Sequence, residues 1–113
     1  MVRFAAIVRW KPETARAVRE RYDTIVKGTA PKAVLDAFFK IKWITQEISL
    51  PNHLAIMVFE VEEKDLLEVA LLPMYMAEVC TEDEYQVLSF EDYLAASEKL
   101  PLAEIPKPES PTK

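Results

Sequence analysis

Glycine, cysteine, histidine and asparagine each occur once in this chain of 113 residues, and each scarcity removes a class of answers. One Gly against eight Pro excludes collagen-like and flexible glycine-rich architectures and leaves no glycine-rich loop to cradle a phosphate. The single cysteine, Cys80, excludes a disulfide framework and a cysteine-based zinc site. No apolar run approaches the roughly 18 residues that a membrane-spanning helix needs. The opening Met1 to Trp10 carries Arg3 and Arg9 and passes at once into charged residues, which is not a signal-peptide pattern, so a cytoplasmic location is expected. Positive charge is also in short supply: 14 basic and 19 acidic residues give a net charge of -5, which disfavours attraction to a phosphate backbone. Neither a nucleic acid nor a membrane is expected as a partner.

What is present describes one globular unit. Half of the residues are hydrophobic, 29% are charged, and the mean hydropathy is -0.02. A chain this long buries roughly 65% of its surface on folding, enough for a single core. Charge is divided unevenly. Residues 1–42 hold ten Lys or Arg and four acids, a balance of +6, whereas 43–113 hold four and fifteen, a balance of -11. In one domain this division favours attraction between elements or between subunits. The shortage of Asn and Gln beside abundant Glu and Pro is a pattern shared with thermophile proteins.

Periodicity sets the order of elements. Val2-Phe4-Ala6-Val8-Trp10 alternates with Arg3-Ala5-Ile7-Arg9, a first strand with one apolar face and another apolar in its middle. Lys11-Pro12-Glu13 stops it and starts a helix in which Ala15, Val18, Tyr22, Ile25 and Val26 share one side, and Gly28 ends that helix. A short second helix runs to Phe39. Lys40 to Leu50 and His53 to Val61 read as a hairpin joined at Pro51-Asn52. The acidic Glu62 to Asp65 opens a helix that Pro73 is expected to break or kink. Tyr85 to Phe90 reads as the last strand, and Ser89 with Asp92 three residues later caps a final helix to about Leu100. The prolines at 101, 106, 108 and 111 predict an extended tail over 101–113, after a domain over 1–100.

The order strand, helix, strand, strand, helix, strand is the ferredoxin-like βαββαβ plan of the α+β class, a four-stranded antiparallel sheet with helices on one face. The third strand is apolar on both parities, with Met57 and Phe59 against Leu54, Ile56 and Val58. A bare second face would expose roughly several hundred Å² of apolar surface, which soluble monomers rarely do. A homodimer, or a higher even oligomer, is therefore expected to pair two sheets face to face.

At this point the chain resembles the dimeric α/β-barrel superfamily over about residues 2–99. More closely, Ile7-Val8-Arg9-Trp10-Lys11-Pro12, Trp43 on the second strand and Phe59-Glu60 before an acidic helix start resemble a short uncharacterised bacterial and archaeal family within it. The resemblance implies a barrel of two subunits, in a superfamily that includes cofactor-independent monooxygenases, lactone isomerases, haem-degrading or haem-binding enzymes and amino-acid-sensing domains. A fold shared by such different proteins does not select among them.

The chemically capable residues are few. Arg9 and Glu60, on strands that should be neighbours, read either as the two sides of a barrel mouth, one for an anion and one for a proton, or as a plain ion pair. Trp43, Thr45 and Glu47 are expected on one strand face, as an aromatic wall, a hydroxyl and a carboxylate of a pocket, or with Trp43 as packing. His53 is either a solvent-facing turn residue or a lone haem ligand or proton carrier. Cys80 precedes an acidic run that should raise its pKa and leave it inert. No metal site and no cofactor is expected, and no residue earns a catalytic assignment. Three functions stay open: a module binding a small organic ligand in or at the barrel, a cofactor-independent monooxygenase-like or isomerase-like enzyme, and a structural protein with a filled barrel.

Overall fold

A computed structural model describes residues 1–99, so the proline-spaced tail expected at 101–113 lies outside the described residues. Four strands, β1 (Val2–Arg9), β2 (Lys42–Ser49), β3 (Leu54–Val61) and β4 (Thr81–Gln86), form one antiparallel open sheet in the order β2-β3-β1-β4. That order is the ferredoxin-like arrangement within the α+β class. After β1 come a 3-10 turn at Pro12–Thr14, helix α1 (Ala15–Val26) and helix α2 (Lys32–Phe39). After β3 come a 3-10 turn at Glu63–Asp65 and the short helices α3 (Leu66–Val69) and α4 (Leu71–Met76), and α5 (Phe90–Ser97) follows β4.

Register assigns each parity to a face. Val2, Phe4, Ala6 and Val8 stand opposite Val61, Phe59, Met57 and Ala55, and this set carries the core with Val18, Val69 and Met76 from α1, α3 and α4. The other set, Arg3, Ala5, Ile7 and Arg9 against Glu60, Val58, Ile56 and Leu54, forms a face that no part of the core covers. Gly28 ends α1 as its position predicts, with a φ of 73° that a side chain would strain.

Two elements depart from expectation. β4 begins at Thr81 instead of Tyr85, because the acidic Thr81 to Glu84 stretch, a poor strand former by itself, obtains its ladder hydrogen bonds from β1 as an edge strand. Pro73 does not break the second helical segment. It lies in the first turn of α4, where its missing N–H has no intrahelical partner, and the interruption falls at Ala70. The Ser89 cap is present: its Oγ accepts a hydrogen bond of 3.1 Å from the Asp92 amide.

Candidate functional site

The helix side of the sheet is incompletely filled. α1 and α4 lie over β1, β3 and the start of β4, but the outer half of β2 has no helix above it, and Ile48 there is 61% exposed. The gap is a half-open cleft of about 800 Å³. Val8, Ala55 and Met57 form its floor, Tyr22 and Ile25 one wall, and Leu72, Met74 and Met76 the other. Phe38 and Trp43 close one side. Size and lining match those of ordinary small-molecule sites, in which a few polar groups punctuate an apolar cavity.

The polar groups are few, and Glu47 and Glu82 are the acids among them. Glu82 stands opposite Val8 in the β1–β4 register and so points toward the helices, as do Cys80 and Glu84 on the same parity of the chain. Burial first, then a hydrogen bond and charge repulsion from Glu84, push the Glu82 carboxyl up from 4.5 to about 7. Burial, followed by the charges of Cys80 and Glu82, drives the Tyr22 phenol to about 12. The Cys80 thiol, whose Sγ donates to the Met76 carbonyl, is likewise raised, first by burial and then by Glu82. Gln46, Glu47 and Arg19 lie along the lining, and Arg19 is engaged by Asp23. Trp43 Nε1 is buried without a hydrogen-bond partner.

A raised carboxyl pKa has a consequence for stability. The folded state holds the Glu82 proton more tightly than the unfolded chain does, so its contribution is most favourable below about pH 4.5 and is lost as pH rises toward 7. Glu82→Gln is accordingly expected to stabilise the protein at alkaline pH by about 1–2 kcal/mol, after allowance for the partial exposure of the group, and to do little in acid. Urea unfolding of both proteins at the two pH extremes checks this, and an equal effect at both would contradict it.

The residues singled out from the sequence are dispersed. Arg9 and Glu60 are both on the uncovered face but do not share a mouth: in an antiparallel pair the ends of β1 and β3 point opposite ways, leaving them about 20 Å apart. Arg9 pairs with Asp83 at 3.0 Å, and Glu60 pairs with Arg3 at 3.1 Å and Lys42 at 3.6 Å. Trp43, Thr45 and Glu47 do not share a face either. A bulge between Trp43 and Thr45 turns Trp43 toward the helices opposite Phe59 and leaves Thr45 opposite Val58 on the uncovered side. Glu47, opposite Ile56 on the edge strand, nonetheless reaches the cleft rim. His53 closes the hairpin turn with φ 51°, its amide donating to Leu50 and its carbonyl accepting from the Trp10 amide at 3.0 Å.

Only Trp43 and Glu47 of the six candidates therefore line the cleft. Tyr22, Glu82 and the three methionines carry no local sequence signal of a site, because the face on which Glu82 stands is set by the pairing of β4 with β1. Among the described residues no group of His, Cys, Asp or Glu converges as a metal site would, and no helix is long and apolar enough to cross a membrane. No protein-family model, curated protein or solved structure matches the chain.

Proposed function

We propose that this protein is a small-molecule-binding module whose ligand occupies the cleft between the sheet and helices α1 and α4, and that two copies pair through their uncovered sheet faces. The cleft carries the first half of this reading: about 800 Å³ of largely apolar space with a sparse set of polar groups in its lining. A structural protein would gain nothing from leaving Ile48, Met57 and Trp43 around an open space, since filling it would add burial.

The second half rests on the uncovered face. Ala5, Ile7, Leu54, Ile56, Val58 and Tyr85 make its apolar centre, with Ile56 46% and Tyr85 56% exposed. One end carries Arg3 and Lys42 around Glu60, a balance of +1, and the other carries Asp83 and Glu47 around Arg9, a balance of -1. A two-fold axis running across the strands brings the positive end of one sheet against the negative end of the other. A second reading, an enzyme without a cofactor, draws on Glu82, whose proton affinity near neutrality suits general acid–base work.

Trp43 reports on occupancy because it lines the cleft, whereas Trp10 does not. In a Trp10→Phe variant, titration with 1-octanol, a neutral apolar probe, is expected to shift the remaining indole emission saturably. No shift with any aliphatic or aromatic probe that fits the cleft would count against the binding reading.

A further inference from the structure

We infer that the cleft selects a hydrophobic amine, whose ammonium group pairs with Glu82 while its apolar body lies along Met57, Met76 and Trp43. The inference rests on the binding reading above and adds the chemical class of the ligand. Among the described residues, the one cation of the lining, Arg19, is 80% exposed at the rim with Asp23 4.0 Å away, and the nearby Arg21 is held by the Tyr75 carbonyl at 2.6 Å and by Glu78. Arg9, the residue the sequence offers as an anion holder, is on the opposite face of the sheet with Asp83. Among the described residues, a carboxylate seated beside Glu82 would thus meet like charge and no cation within ion-pair distance of that acid.

The acids are in the reverse condition. Arg3, Arg9, Arg21, Lys40 and Lys42 each hold a carboxylate elsewhere in the fold, yet among the described residues neither Glu82 nor Glu84 has a cation within ion-pair distance. The groups facing Glu82 are Glu84 on its own strand, Tyr22 from α1, Cys80 just before β4, Val8 from β1 and Met76 from α4, and none supplies positive charge. A carboxylate held in apolar surroundings without a counter-ion is a strong recognition element for a cation that arrives with an apolar body. The aromatic ring of Tyr22, which lies close enough to Glu82 to feel its charge, adds a further attraction for an ammonium group. An alkylammonium stays protonated from acid to mildly alkaline solution, so pH acts through Glu82: protonating it removes the partner charge, and the preference for an amine weakens as the solution is acidified.

The test uses three probes of one chain length, n-octylamine, 1-octanol and octanoate, titrated calorimetrically into the full chain at about pH 8.5 and about pH 5.5. At the higher pH octylamine is expected to bind roughly tenfold or more tightly than octanol, with octanoate the weakest, and the margin should shrink at the lower pH. Glu82→Gln, a variant expected to fold well in alkali, should bring octylamine down to the level of octanol. Octanoate binding as well as octylamine, or an amine preference that survives Glu82→Gln, would overturn the inference while leaving the cleft as a binding site. Failure of all three probes to bind would instead remove the binding reading itself.

Discussion

Phe59→Ala is expected to destabilise the protein by about 3–5 kcal/mol. Phe59 is 5% exposed at the centre of an aromatic row that crosses the sheet: its ring stacks on Phe4 at 5.7 Å and meets Trp43 at 5.4 Å, and Trp43 meets Phe38 at 5.6 Å. Truncation removes the ring that joins β1, β2 and α2, and neighbours fixed on a hydrogen-bonded sheet have little freedom to close the void. For a domain with roughly 5–15 kcal/mol of total stability, such a loss takes much of the margin. Phe39, 78% exposed on the same helix as Phe38, is the control, and Phe39→Ala should change stability by no more than about 0.5 kcal/mol. Chemical denaturation of the two variants decides the point, and comparable losses would contradict the assignment of parities to faces.

Ile56→Glu is expected to abolish self-association. Light scattering of the unaltered protein should give about 26 kDa, twice the 13.0 kDa chain, and the variant should give the mass of one chain. Ile56 occupies the middle of the uncovered face, opposite Ile7 on β1 and Glu47 on β2, so pairing of two sheets about a two-fold axis would bury two introduced carboxylates close to one another and to Glu47. Burying an unpaired charge costs about 3 kcal/mol or more, equivalent to over a hundredfold in the dissociation constant. The substitution leaves the helix-side core untouched, so unfolding of the isolated chain should change little. A wild-type chain that is monomeric at micromolar concentration would remove the sheet-pairing proposal and leave the cleft unaffected.

These expectations show which features were legible in the sequence. Alternation along β1, the Pro51-Asn52 turn of the β2–β3 hairpin, the Gly28 stop and the Ser89 cap are local signals, and each appears in the fold where its residues stand. Features that depend on register were not legible. The bulge after Trp43 reverses which side of β2 its residues face, and no residue in Lys42–Ser49 announces it. The partners of Arg9 and Glu60 follow from which strand ends meet, which alternation within a strand does not encode. β4 begins earlier than its composition suggests because its acidic residues have little strand propensity and are held by pairing with β1. The cleft is not encoded locally for a related reason: it arises where no helix covers Gln46 and Ile48, a property of how α1 and α4 are spaced and not of any one segment.

Methionine methyl resonances offer the most direct test that a ligand enters the cleft. The chain has four methionines, of which Met57, Met74 and Met76 line the cleft and Met1, just before β1, does not. With methyl-labelled methionine and isoleucine, titration with n-octylamine should shift Met57, Met74 and Met76 together with Ile25 and Ile48, and should leave Met1, Ile7 and Ile56 in place. Shifts confined to Ile7 and Ile56 would move the ligand to the uncovered sheet face and contradict the account.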